Sequence, residues 1–392
     1  MTPMMEMYCK TKEEYKDCIL FYRLGDFYEM FFDDAITASR ELEITLTGKD
    51  CGMEERAPMC GIPYHAYENY MNRLVEKGYK VAICEQVEDP KQAKGLVKRE
   101  VVQIVTPGTN MSVGSLNETK NNYLMSIFYD DKYGISFADI TTGDFFTTEV
   151  ESFSKVMDEI SKFAPVEILV NEAVSLEENG SIGISLSNLR EKDHTMITVM
   201  EDWYYDYDMD ERLIKDQFHM MNLEGLGLKD YPNAVRSVGC LLYYLKDTQK
   251  GSVDHINHIS TYHVEDFVVL DSASRRNLEL CETMRDKNKR GSLLWVLDKT
   301  KTAMGARMLR SMVEQPCIRK EMIENRLDAI EALNNSMITR DELREYLSAV
   351  YDLERLMTRI TLKTANPRDL IAFKNSIAVS YTHLRAHETG AY

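Results

Sequence analysis

Phe27 and Glu29 stand two residues apart in the run Gly25-Asp26-Phe27-Tyr28-Glu29-Met30-Phe31-Phe32. Gly25-Asp26 is a turn signal, and the residues after it favour a strand. Side chains alternate along a strand, so Phe27, Glu29 and Phe31 share one face while Tyr28 and Met30 share the other. A ring with a carboxylate two positions on, at the start of a strand, presents both groups to one ligand. The ring can wedge into a stack of bases, and the carboxylate can hydrogen-bond a base edge. A core phenylalanine beside a solvated glutamate satisfies the same spacing, and spacing alone leaves both readings open.

Other residues raise other chemistries. The acids Asp26, Glu29, Asp33 and Asp34 suggest a two-metal nuclease site. Asp33 and Asp34, however, fall at a predicted helix start, where carboxylates simply suit the helix dipole. Asp139 and Asp144 flank a predicted hairpin turn, an ordinary place for aspartate. The strand before them, Tyr123 to Tyr129, carries no acid, and the fourth strand of that region ends at Asn171. No Gly-x-x-x-x-Gly-Lys-Ser/Thr sequence occurs: Thr47-Gly48-Lys49-Asp50 lacks the upstream glycine and the hydroxyl, and Gly225-Leu226-Gly227 is a lone pair. Eight cysteines are scattered, and Cys51 and Cys60 are too far apart for the close pairs of a structural zinc site. No catalytic residue and no metal site are expected, and the thiols read as reduced.

Lys+Arg 47 against Asp+Glu 64 gives a net charge of −17, which excludes a globally basic nucleic-acid binder. Any such contact must come from local patches or base-directed groups. Arg285 to Arg310 carries eight basic residues against two acidic ones, a pattern that more often marks a solvated helix face. A composition of 44% hydrophobic and 28% charged residues is that of an ordinary folded protein. No apolar run approaches the roughly 20 residues that span a bilayer. Met1 to Lys10 lacks the basic-then-apolar pattern of a secretory leader, so a cytoplasmic protein is expected.

The elements that must position these residues divide the chain. In 1–109, strands at Ile19 to Leu24, Phe27 to Phe32, Lys80 to Glu85 and Glu100 to Thr106 interleave with helices near 35–42 and 70–77, predicting a small mixed α/β domain. Residues 48–63 are punctuated by Gly48, Gly52, Pro58, Gly61 and Pro63 and read as an ordered loop. In 118–250, three strands joined by tight turns precede a helix over 153–163 and a fourth strand, the opening order of an RNase H-like α/β domain. Residues 260–379 read as the start of a long-helix core. There Leu343, Leu347, Val350, Leu353, Leu356 and Ile360 keep a three-to-four spacing over five turns, and Asn366-Pro367 starts the next helix. From Ser380 to Tyr392 the apolar period stops, and this segment reads as a non-native tail.

The sequence resembles the MutS family of DNA mismatch repair proteins. The likeness is carried by Phe21-Tyr22-Arg23-Leu24-Gly25-Asp26-Phe27-Tyr28-Glu29, Arg56-Ala57-Pro58-Met59-Cys60-Gly61-Ile62-Pro63-Tyr64-His65, Val81-Ala82-Ile83-Cys84-Glu85-Gln86 and Val105-Thr106-Pro107-Gly108-Thr109. It continues through Asp139-Ile140-Thr141-Thr142-Gly143, Arg275-Arg276-Asn277-Leu278-Glu279-Leu280, Asp352-Leu353-Glu354-Arg355 and Pro367-Arg368-Asp369-Leu370. The resemblance implies recognition of mispaired or unpaired bases in duplex DNA. Phe27 matches the phenylalanine that enters the minor groove, and Glu29 the glutamate that hydrogen-bonds the mispaired base. Lys49 and Arg99 fall where the family places basic residues near the DNA backbone, whereas Gln103 stands where the family often has arginine. For the longer family proteins it implies an ATPase at the C-terminal end using ATP and Mg2+, a homodimer, a sliding clamp and MutL as partner. This chain is then expected to be an N-terminal fragment without the clamp and ATPase domains, and not an enzyme by itself. The alternatives are an RNase H-like nuclease and a DNA-junction binder without mismatch specificity.

Overall fold

The computed structural model describes residues 1–88, 97–112, 114, 116–176, 186, 188–191, 194–251 and 253–381. The first unit is a six-stranded sheet built from β1 (Cys18–Leu24), β2 (Phe27–Phe31), β3 (Thr47–Lys49), β4 (Ala57–Pro63), β5 (Lys80–Gln86) and β6 (Arg99–Val105), in the order β3-β4-β2-β1-β5-β6. Only the β1–β5 pairing is parallel. Helix α1 (Pro3–Glu14) covers one face, and α2 (Phe32–Leu42) and α3 (Tyr67–Glu76) cover the other. Strict alternation drives this arrangement. Ile19, Phe21, Tyr28 and Met30 pack with α2 and α3, while Leu20, Tyr22 and Phe31 pack with Met5 and Tyr8 of α1.

Residues 48–63, read as a loop from their glycines and prolines, in fact supply most of β3 and all of β4. The alternation survives beneath the punctuation: Cys60 and Ile62 join the α2 side, and Ala57 and Met59 join the α1 side. Tertiary pairing with β2 overrides the local signal.

The second unit is a sheet of β7 (Leu124–Tyr129), β8 (Tyr133–Asp139), β9 (Asp144–Val150), β10 (Glu167–Val170), β11 (Met196–Val199) and β12 (Ser260–Thr261), in the order β11-β10-β7-β8-β9-β12. The β7–β8–β9 meander is antiparallel, and β10, β11 and β12 join in parallel. Helix α4 (Phe153–Phe163) lies on one face, beyond which the chain forms the short α5 (Glu172–Leu176). The largely buried α7 (Pro232–Gln249), with α6 (Tyr207–Phe218) against it, lies on the other. Gly134 permits this contact, since a Cβ there would stand 1.9 Å from the Asn233 carbonyl oxygen at the start of α7.

Glu167 joins the two units. Its buried carboxylate accepts from Thr106 Oγ1 at 2.5 Å, the Gly108 amide at 2.9 Å and Tyr244 Oη at 2.5 Å. Gln103 also lies at this junction, where its Nε2 donates to Gln249 Oε1 at 3.1 Å. This contact accounts for a glutamine at that position without any nucleic acid.

The remainder is helical: α8 (Ser272–Asn277), α9 (Leu293–Leu297), α10 (Ala303–Glu314), α11 (Lys320–Asn335), α12 (Met337–Ser348), α13 (Leu353–Thr361) and α14 (Pro367–Val379). The five-turn helix suggested by the apolar period is two helices. Asp352 caps α13 by accepting from the Arg355 amide, and Arg307 clasps both Asp352 oxygens at 2.7 and 2.8 Å. Of the eight basic residues in 285–310, Lys289 is engaged on Asp298, Arg310 on Glu314 and Arg307 is buried, while Arg285, Lys287, Arg290, Lys299 and Lys301 are exposed. Residues 382–392, nearly all of the segment read as a tail, lie outside the described residues.

Candidate nucleic-acid interface

At the start of β2, α1 no longer covers its face of the sheet. Phe31 is buried under Tyr8, with ring centroids 4.9 Å apart, whereas Phe27 on the same face is 47% exposed. Tyr28 and Met30, which point to the other face, are fully packed, so the exposure is confined to the face that Phe27 shares with the buried Phe31. Glu29 lies between them, with a side chain 17% exposed. Opposite it on β4 is Gly61, where a Cβ would lie 3.7 Å from Glu29 Cγ and 3.9 Å from Phe27 Cδ1. A methyl group there would make only ordinary contacts, so both side chains rest against β4 at Gly61 without strain.

Lys49, from the edge strand β3, reaches over β4 to this spot. Its Nζ lies 2.5 Å from Glu29 Oε2 and 5.5 Å from the centroid of the Phe31 ring. Arg99 instead folds back on the sheet. Its Nε donates to the Arg23 carbonyl and one Nη to the Val97 carbonyl, each at 2.8 Å, and its guanidinium sits 5.3 Å from the Tyr22 ring centroid. The two basic candidates thus differ: Lys49 meets Glu29 beside the Phe31 ring, and Arg99 braces the strand behind them.

Sequence reasoning named neither Arg23 nor Tyr64 as site residues, yet both border the turn that carries Phe27. The Arg23 guanidinium lies 3.8 Å from the centroid of the partly exposed Tyr64 ring and pairs with Glu85 at 3.3 Å, while the Tyr64 amide donates to the Asp26 carbonyl at 3.0 Å. Their signal was present in the Gly61-Ile62-Pro63-Tyr64 run, where a chain turning after a strand brings an aromatic back beside the hairpin.

The acidic cluster does not converge. Asp34 is buried on the α1 side, taken by Lys12 at 2.9 Å, the Leu20 amide at 3.0 Å and Tyr8 Oη at 3.4 Å, while Glu29 is held by Lys49 and Asp33 is exposed. Cys51 and Cys60 sit in the cores on opposite faces of the sheet. Among the described residues no three His, Cys, Asp or Glu are placed to hold a metal ion. In the second unit Asp139 accepts from the Asn122 and Thr141 amides, Thr141 Oγ1 and Asn121 Nδ2, all within 2.9 Å. Asp144 takes Thr142 Oγ1 and Asn121, with burial pushing its carboxyl up. Asn171 clips the Tyr129 backbone through both its amide oxygen and its nitrogen. Every one of these groups is occupied in holding a turn or a strand end.

Comparison with known proteins bears on the whole chain. Residues 2–113 match MutS domain I, 122–259 match MutS domain II and 273–391 match MutS domain III. The chain belongs to the MutS family. It is similar to the DNA mismatch repair protein MutS of Lachnoclostridium phytofermentans, 60% identical over 380 residues, which cover 97% of this chain and 40% of that protein. The MutS proteins of Ruminiclostridium cellulolyticum and Acetivibrio thermocellus are each 52% identical, over 96% of this chain and 43% of their own length. The chain therefore spans about 40% of the length of the curated MutS relatives it matches. Phe27, Glu29 and Lys49 all fall within the MutS domain I match, and the Asp139–Asp144 turn falls within the MutS domain II match.

Proposed function

We propose that this chain recognises mispaired or unpaired bases in duplex DNA as part of mismatch repair. Phe27 enters the minor groove and stacks on the mispaired base, and Glu29 hydrogen-bonds that base. One observation carries the reading: on the sheet face where α1 buries Phe31, Phe27 is left 47% exposed with a carboxylate beside it. Wedging a ring into a base step costs a few kcal/mol, least where pairing is already faulty, and stacking returns roughly 1–3 kcal/mol. Discrimination then rests on how easily the duplex kinks, not on a sequence code.

The second unit is proposed to be an RNase H-like connector, a reading supported by its antiparallel meander flanked by parallel strands in the order β11-β10-β7-β8-β9-β12. The helical remainder is proposed to be part of the MutS core. Nucleotide chemistry with ATP and Mg2+, a homodimer, clamp sliding and recruitment of MutL are proposed for the longer MutS proteins, with no step routed through residues of this chain. No helix among the described residues is long and apolar enough to cross a membrane, and a cytoplasmic location is proposed.

The test is a titration at low salt of a G·T or single-base-bulge duplex against its matched parent, with wild type and Phe27→Ala. A mispair preference that disappears in the variant is expected, and an unchanged preference would refute the assignment. Adding a divalent metal and looking for nicked DNA separates the nuclease alternative. A four-way junction competing as well as a mispair would favour the junction binder.

A further inference from the structure

Lys49 is engaged in a way that a residue serving only as a phosphate contact does not require. Its ammonium rests on the Phe31 ring and touches Glu29, and the pair is partly withdrawn from water, with side-chain exposures of 33% and 17%. The strand order creates this contact. Lys49 pairs with Ala57 and Glu29 with Gly61, four residues apart along β4, so the lysine side chain runs diagonally across β4 and past Phe31 to reach the carboxylate.

We propose that Lys49 is a positioning residue that sets mispair specificity by acting as the counter-ion of Glu29. The proposal rests on the mispair reading above. A bare carboxylate in a groove walled by phosphates is repelled by them, and an ammonium at contact distance cancels most of that repulsion. On a matched duplex the base donors are engaged in their own pairs, so Glu29 keeps Lys49 as its favourable partner. On a mispair an unpaired base edge offers a donor, and Glu29 has less need of Lys49. Lys49 therefore supports matched binding more than mispaired binding, and it limits discrimination while raising overall affinity.

Binding of the intact chain to a G·T duplex and to its matched parent is measured for wild type, Lys49→Met, Lys49→Gln, Lys49→Arg, Glu29→Gln and the Lys49→Met/Glu29→Gln double variant, each checked by a thermal melt. Lys49→Met is expected to weaken matched binding more than mispaired binding, raising the ratio of affinities roughly three- to fivefold, the scale of one partly exposed ion pair. Lys49→Arg restores the wild-type ratio, and in the Glu29→Gln background removal of the lysine weakens both duplexes equally. If Lys49→Met does not fold, Lys49→Gln carries the same expectation. Equal weakening of both duplexes in the wild-type background, with the salt dependence reduced by about one ion, makes Lys49 a phosphate contact only and overturns the proposal. A mispair preference that Phe27→Ala abolishes, together with an unchanged ratio in Lys49→Met, overturns this proposal alone. A wild-type chain without any preference overturns the mispair reading and the proposal with it.

Discussion

Asp210 on α6 is fully buried against α7, and neither carboxyl oxygen has a hydrogen-bond partner among the described residues. Its carboxyl carbon lies so close to Gly239 that a Cβ there would stand 2.1 Å away. Burial, and then the neighbouring Asp206, push its pKa from the ordinary 3.8 up to about 8, against the pull of Arg236. The unfolded chain releases this proton near the ordinary value, whereas the native protein keeps it until about pH 8. The native state binds the extra proton throughout that window, so stability is fully present below about pH 4 and declines as pH rises through about 8. Asp210→Asn keeps the shape and removes the titration. Its melting temperature is expected to exceed that of wild type by about 5 °C or more at about pH 8.5, with a much smaller gap at about pH 5. An equal gap at both pH values would show that the carboxyl titrates normally. Legibility at this scale was uneven. The shared face of Phe27 and Glu29 follows from alternation within one strand. The Lys49–Glu29 pair does not, because it depends on β4 lying between β2 and β3, a long-range arrangement that no local spacing encodes.

The break between α12 and α13 has a similar origin at the level of elements. Apolar residues from Leu343 to Ile360 keep helical spacing straight through it, so periodicity sees one helix. The bend is fixed from outside, by Arg307 of α10. Its guanidinium, with only 4% of the side chain exposed, bridges Asp352, Glu354 at 2.6 Å and the Glu118 carbonyl at 2.9 Å, while Arg355 donates to the Lys120 carbonyl at 2.9 Å. Burial alone would raise the Asp352 carboxyl, yet the hydrogen bonds and charge of Arg307 hold it below the ordinary range. Asp352→Ala removes the cap of α13 and deprives a buried guanidinium of its bidentate partner. The expected loss is about 3 kcal/mol or more in chemical denaturation, of which the cap supplies about 1 kcal/mol. An unchanged denaturation midpoint would mean that Arg307 is satisfied by Glu354 and Glu118 alone. Strands β1, β2 and β5 to β10 and helices α2, α3 and α4 were legible because each carries its own alternation or amphipathic face, whereas α1, β11 and β12 were not read from the sequence. β3 and β4 were hidden by glycine and proline, and the α12–α13 break was hidden by the continuity of its apolar stripe.

Across the whole molecule, strong negative charge and unpaired apolar surface act in opposite directions. A net charge of −17 keeps copies of the chain apart at long range, with a reach that shrinks as salt is added. α11 carries Ile323, Leu327, Ile330 and Leu333 at helical spacing, all exposed, and Met337 and Ile338 at the start of α12 are exposed beside them. Neither helix has a single buried residue, in contrast to α7, most of whose residues are buried. A stripe of this kind loses its unfavourable contact with water when it meets another, at about 25 cal/mol for each Å² covered. Screening the charge removes the opposing term while leaving the apolar term intact. Sedimentation is therefore expected to show association that grows with protein concentration and with added salt, and Leu327→Glu combined with Ile330→Lys is expected to suppress it without lowering the melting temperature. The direction of the salt effect separates this cause from ion pairing between copies, which salt would weaken. A chain that stays monodisperse at high salt and high concentration would mean that the α11 stripe is too narrow or too mobile to hold a second copy.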